Sequence, residues 1–170
     1  MLRTILTSIT LAFVFAVNVT QSAEVGFDSI FDGKTLKGWD GNPDFWSVKD
    51  GAITGITTAE NPTKGNTFIV WRGGEVADFE LRLQFRIRGG NSGIQYRSKE
   101  VDKWVISGYQ ADFDGSGGWT GTLYEERGRG VLAKRGNKVI ISDSGEKRTI
   151  EKTATEEEIL SVVKREDWND

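Results

Sequence analysis

The sequence predicts an all-β domain: two packed antiparallel sheets with one short helix near the C-terminus. Three observations point there. Glycine is dense, 21 of 170 residues against only 2 Pro, well above the usual share of about 7%. Residues 77–88 alternate strictly, Phe79, Leu81, Leu83, Phe85 and Ile87 against Glu80, Arg82, Gln84, Arg86 and Arg88, so one strand face is apolar and the other wet. Short apolar runs elsewhere are separated by Gly-rich turn signals.

Taken in order, the first element is not part of the fold. Met1 to Arg3 carry one positive charge, Ile5 to Val17 are apolar-rich, and small or polar residues follow up to Gln21-Ser22-Ala23. This reads as a secretory signal peptide over residues 1–23, too short in its apolar stretch to span a bilayer, which leaves residues 24–170 as a single domain. Export to the periplasm or the extracellular space is the expectation, with no membrane association after cleavage. Strands are then expected at Phe45–Val48, Ala52–Thr54, Asn66–Trp71, Ala77–Arg88, Ser92–Ser98, Gly108–Phe113, Thr122–Glu125 and Lys138–Ser142. Asp32-Gly33, Asp50-Gly51, Gly73-Gly74, Gly89-Gly90-Asn91, Asp114 to Gly118 and Gly136-Asn137 mark turns. Phe79, Leu81, Leu83 and Phe85 are expected in the core. The charged stretch from Asp143 to Lys152 reads as a solvated loop. Thr155 caps a helix opened by Glu156-Glu157-Glu158, whose apolar face is Ile159, Leu160, Val162 and Val163. Trp168-Asn169 follows as though another strand were about to begin, so the last strands of the sandwich are expected to be missing and a sheet edge open.

Composition excludes several chemistries. There is no Cys and no His, which removes disulfide frameworks, thiol nucleophiles, Ser-His-Asp triads and nearly all catalytic transition-metal sites. With 22 Lys plus Arg against 25 Asp plus Glu, no basic field exists for a nucleic acid partner. Carboxylates, guanidinium groups, amides and hydroxyls remain.

Two constellations can supply chemistry. On Gly93 to Arg97, Gln95 and Arg97 fall on one side of a strand; on Tyr109 to Phe113, Gln110 and Asp112 do the same. On neighbouring strands they form a polar patch suited to sugar hydroxyls, with Trp104, Tyr109 and Trp119 nearby in sequence to pack on apolar sugar faces. The competing reading is the ordinary solvent face of an antiparallel sheet. The second constellation is Tyr124-Glu125-Glu126-Arg127-Gly128-Arg129. Adjacent Glu side chains point to opposite faces, so at most one joins Asp112 unless the strand bulges. That Glu can serve as general acid or base, or an Arg of the same run can pair with it and hold it ionised.

Two motifs are set aside. Asp112 to Gly117 begins like a calcium loop, but Leu123 stands where a bidentate Glu is required. No EF-hand, metal centre or cofactor is expected, and only a looser calcium site stays open. Gly128-Arg129-Gly130 lacks the Lys-Ser/Thr and the helix of a phosphate loop.

Six motifs in order carry a resemblance: Phe31-Asp32-Gly33-Lys34-Thr35-Leu36-Lys37-Gly38-Trp39, Phe45-Trp46-Ser47-Val48-Lys49-Asp50-Gly51-Ala52-Ile53, Asp78-Phe79-Glu80-Leu81, Gly90-Asn91-Ser92-Gly93-Ile94, Gly108-Tyr109-Gln110 and Thr120-Gly121-Thr122-Leu123-Tyr124. Over Phe27 to about Arg135 the chain resembles the 3-keto-disaccharide hydrolase family. The resemblance implies a concanavalin A-like jelly-roll sandwich and a secreted carbohydrate-active enzyme. It would cleave 3-keto-glucosides by elimination and hydration, the chemistry of 3-keto-glucoside 1,2-lyases and 3-keto-2-hydroxyglucal hydratases. A C3 ketone acidifies the C2 proton, so a carboxylate base and donors to an enolate oxygen suffice. Gln110 and Asp112 stand where many members carry Glu and Gln, and the family continues past its Trp-Asn pair through further strands with a His-bearing segment.

The expected catalytic set is Asp112 as base, Glu125 or Glu126 as its alternative, and Arg97 as enolate or hydroxyl partner. Gln95, Gln110, Tyr124, Arg127 and Trp119 are the expected substrate-binding residues. The alternative function is a non-catalytic, lectin-like carbohydrate-binding module, since fold does not fix function. A structural or adhesion domain is a third reading and requires no concave polar patch.

Overall fold

The structure is a computed structural model that describes residues 25–170; the signal-peptide assignment lies outside the described residues. No described helix is long and apolar enough to cross a membrane. Among the described residues the regular structure is antiparallel β with a single short helix, the expected class and consistent with an all-β sandwich.

Strands β1 (Trp39–Gly41) and β4 (Ile69–Trp71) pair across the intervening hairpin of β2 (Trp46–Lys49) and β3 (Ala52–Gly55). Two residues join β2 to β3, Asp50 at φ 50° and Gly51 at φ 76°. Positive φ at both central positions is the turn whose twist matches a two-stranded ladder, and Asp-Gly is the pair that tolerates it. Ahead of β1, the Asp32 carboxylate accepts the amides of Lys34 and Thr35 at 2.8 and 2.6 Å and the Thr35 hydroxyl. The Thr35 hydroxyl and these amides lower its pKa to about 2.

The largest sheet is a meander of β5 (Asn91–Asp102), β6 (Val105–Asp114), β7 (Leu123–Glu126) and β8 (Gly130–Ala133), in that spatial order. It is tied to the β1–β4 ladder by a polar staple. Arg72 bridges Asp40 at 2.9 Å and Glu100 at 2.6 Å, while the Trp104 indole donates to Asp40 and its backbone amide to Glu100. These donors hold both carboxyls below their ordinary range, Trp104 contributing most at each. β9 (Asn137–Ile141) and β10 (Lys147–Lys152) form a separate hairpin, and α1 (Glu156–Val162) follows. Thr155 and Glu158 close a reciprocal capping box at its start, satisfying two otherwise orphaned amides.

Three expectations need correction. Residues 77–88 carry the strongest alternation yet form no ladder: their pairing is a single bridge between Phe85 and Asn169. Phe79, Leu81 and Leu83 are exposed, 44%, 43% and 36%; without a paired strand their apolar face is only partly covered, Phe79 meeting Tyr96 edge-on with ring centroids 6.5 Å apart. Of the four expected core residues Phe85 is half-buried, stacked on Phe113 with ring centroids 4.2 Å apart, and Ile87 beyond it is half-buried as well. The Asp143 to Lys152 stretch is solvated but not a loop throughout, since Lys147–Lys152 pair with β9 around a bulge. Near α1, Ile159, Leu160 and Val163 turn inward while Val162 is exposed, because a two-residue step along the helix places Val162 nearly opposite Leu160.

The interior beside the meander is unusually polar. Ile106 and Leu132 are its buried apolar residues, whereas Gln110, Asp112, Asp114, Thr120 and Thr122 are all below 9% exposed.

Candidate active site

Register sorts the side chains. Cross-strand partners lie on the same face of an antiparallel sheet, so Gln95, Gln110 and Tyr124 share a face, with Gly93 opposite Asp112 and Gly108 opposite Glu126 on that same side. Tyr96, Tyr109 and Glu125 occupy the other face. The even positions of β6 are thus the buried ones, and the polar face is not the wet face: Ala111 is exposed and Asp112 is 7% exposed.

On the polar face the amides form a directed chain. Gln95 Nε2 donates to Gln110 Oε1 at 3.0 Å, and Gln110 Nε2 donates to Asp112 Oδ1 at 2.5 Å. Gly93 makes room for this: a Cβ there would meet Gln110 Cγ at 2.6 Å. The backbone of Asp112 is fixed as well, its amide donating to Thr122 O and its carbonyl accepting from Gly121, both at 2.9 Å. Burial raises the Asp112 pKa, the nearby Asp114 charge adds to the rise, and the Gln110 bond opposes it. The Asp112 Oδ2 atom carries no hydrogen bond from the described residues, which leaves it free to take a proton.

Asp114 has a different task. Its carboxylate accepts the amides of Gly118, Trp119 and Thr120 at 3.0, 2.8 and 3.0 Å, together with the hydroxyls of Thr120 and Ser116. Burial alone would raise it, yet these donors win and hold it at about 2. It organises the β6–β7 connection, with both oxygens engaged in hydrogen bonds. Among the described residues no group of three or more acidic side chains is placed to hold a metal ion.

Two expected site residues are moved by local geometry. Arg97 does not join Gln95: it sits at a bulge between Tyr96 and Lys99 with φ 48°, and a bulge re-aims the side chain. Its guanidinium reaches the Ala77 carbonyl at 3.1 Å and Asp78 at 3.7 Å. Glu125 faces away from Asp112 and pairs with Arg129 at 2.6 Å, which holds its carboxyl below the ordinary value. Arg129 also donates to the Tyr109 hydroxyl. Both Arg97 and Arg129 line a groove of about 380 Å³ on this second face, with Tyr96, Tyr109, Leu123 and Leu132.

Of the remaining expected residues, Tyr124 is half-buried opposite Gln110. Glu126 is half-buried on the Asp112 side of the sheet and accepts from Asn66 Nδ2 at 3.0 Å. Arg127 is exposed in the β7–β8 turn with φ 56°. Trp119 is 47% exposed in the β6–β7 connection. Sequence reasoning missed Asp114 as the organiser of that connection, whereas the expected pairing of a Glu with an Arg of the same run is met by Glu125 with Arg129, and not with Arg127. It also missed Arg135, whose side chain is 6% exposed and whose partners are remote in sequence.

No solved structure matches this chain. A relative from Bacteroides thetaiotaomicron, described as a 3-keto-disaccharide hydrolase, is 35% identical over 86 residues, which is 45% of this chain and 29% of the relative. The chain thus spans under a third of the length of that relative. A family model described as the 3-keto-alpha-glucoside-1,2-lyase-like domain matches residues 26–170, nearly the whole described fold including the meander that holds Asp112. The chain belongs to the 3-keto-alpha-glucoside-1,2-lyase-like domain family.

Proposed function

We propose that the protein cleaves 3-keto-glycosides, with Asp112 as the base. Family membership and the named relative support a carbohydrate hydrolase-type activity. The observation that carries the finer reading is the Asp112 carboxyl itself: buried, raised in pKa by that burial, bonded by Gln110 on one oxygen and free on the other. Oδ2 removes the C2 proton of the sugar, and the electron pair of that bond moves to the C3 oxygen as an enolate. Collapse of the enolate forms the C1–C2 double bond as the C1–oxygen bond breaks, and the proton held by Asp112 passes to the departing oxygen. Water then adds at C1 with return of a proton to C2, so the net change is hydrolysis. Each of Gln95 and Gln110 has a second amide N–H beyond the one in the chain, and these are the donors suited to the enolate oxygen now that Arg97 lies elsewhere. Export through the N-terminal signal sequence is part of the same proposal.

The test is turnover of a 3-keto-glucoside by the full chain. Asp112→Asn lowers kcat by about 10² to 10⁴, the usual cost of a lost general base, whereas Glu125→Gln leaves it within a few-fold. If Asp112→Asn turns over normally while Glu126→Gln does not, the base is Glu126.

A non-catalytic sugar-binding role is the second reading. The groove of about 380 Å³ favours it, since Tyr96, Tyr109, Arg97 and Arg129 line it and no carboxylate does. Binding without product formation would establish it.

A further inference from the structure

We propose that Trp119 is a stacking platform for a pyranose ring beside Asp112, and that Arg135 is the positioning residue that fixes it. The inference rests on the carbohydrate reading above and adds a subsite to it.

The β6–β7 connection leaves β6 at Asp114 and returns at Thr122, so Trp119 stands at the same end of the hairpin as Asp112. The ties are direct: Trp119 O accepts the Thr122 amide at 2.9 Å, and Thr122 O accepts the Asp112 amide. An aromatic side chain 47% exposed at such a position costs apolar hydration unless something covers it.

What separates this Trp from an ordinary exposed side chain is how much of the structure holds its loop still. From one side the Asp114 carboxylate accepts three successive amides, Trp119 among them. From the other, Arg135 Nη2 donates to the Gly118 carbonyl at 2.5 Å and lies 3.6 Å from Glu156. The Arg135 side chain is 6% exposed, and its Nη1 is buried with no partner among the described residues. Burying a guanidinium with a donor unmatched is costly, and its one close bond is to the carbonyl adjoining Trp119. Gly121 lets the two segments approach: it has φ 83°, and a Cβ there would lie 3.2 Å from that of Arg135. Below the loop, Leu160 and Arg165 come within 3.7 and 3.5 Å of the Cβ position of Gly117. A loop backbone held this way loses little freedom when a sugar stacks on the ring it carries, which is how preorganisation raises affinity.

The experiment is a titration of the full chain with methyl glucoside, which has no 3-keto group and so reports binding apart from turnover, followed by ligand-observed NMR. Trp119→Ala is expected to weaken binding at least tenfold and Trp119→Phe to restore most of it. Arg135→Gln is expected to weaken binding several-fold, and the Arg135→Gln/Trp119→Ala double variant to bind no more weakly than Trp119→Ala alone, because both act through one contact. Unchanged binding in Trp119→Ala, or no binding by the parent chain, overturns the platform. Fully additive losses overturn the role of Arg135; where Arg135→Gln does not fold, Arg135→Lys, which keeps the charge and one donor, serves in its place under the same criterion. Turnover measured separately keeps the two proposals apart: a chain that binds through Trp119 but never converts a 3-keto-glucoside retains the platform and loses the catalytic reading. One that depends on Asp112 for turnover and ignores Trp119 does the reverse.

Discussion

Asp112 and Asp114 lie two residues apart on one strand face, yet their surroundings push them in opposite directions, Asp112 upward through burial and Asp114 down to about 2 through its donors. Their linkage to stability therefore has opposite sign. A folded-state pKa above 3.8 means that the native chain binds the Asp112 proton more tightly than the unfolded one, so this contribution declines as pH rises from the unfolded value through the folded one. Ionised Asp112 thus weakens the fold at neutral pH, and Asp112→Asn should raise Tm. A lowered Tm would mean that the ionised carboxylate stabilises the fold. Asp114 contributes above the unfolded value and loses its contribution as pH falls toward 2. Asp114→Ala leaves the Trp119 and Thr120 amides unpaired, the Gly118 amide keeping Ser116, and is expected to cost about 2 to 4 kcal/mol, read from the denaturation midpoint. Alternation made the shared face of Gln110 and Asp112 legible in the sequence. It could not show that this face is the buried one, because burial depends on what packs above the sheet; nor could it reveal that Arg97 leaves the face, because a bulge breaks the period on which the reading stood.

At the scale of elements, turns were more legible than strands. Asp50-Gly51 needs no tertiary context to favour its hairpin, and Thr155 with Glu158 announces the start of α1 through side-chain chemistry alone. Thr155→Ala is expected to cost about 1 kcal/mol, measured by urea unfolding; no change would show that α1 contributes nothing to the cooperative unit. β10 was hidden because Lys147 to Lys152 are exposed throughout, so no hydrophobic period marks a strand held by backbone pairing to β9. Residues 77–88 failed in the opposite sense. A period-2 pattern specifies which side chains would face a core, but a ladder also needs a partner strand, and the structure supplies one bridge at Phe85.

For the molecule as a whole, the exposed Phe79, Leu81 and Leu83 are continuous along one segment, and surfaces of this kind drive association. Leu81→Lys with Leu83→Lys is expected to reduce concentration-dependent self-association in sedimentation velocity. An unchanged distribution would place the sticky surface elsewhere. The arrangement of sheets also sets a temporal order. In the β5–β8 meander every strand pairs with its neighbour in sequence, whereas β1 must find β4 across the β2–β3 hairpin. Closing short loops costs less entropy than closing long ones, and chains rich in local contacts fold faster. The meander, which carries Gln95, Gln110 and Asp112, is therefore expected to form its candidate catalytic face before the β1–β4 ladder is stapled to it through Arg72.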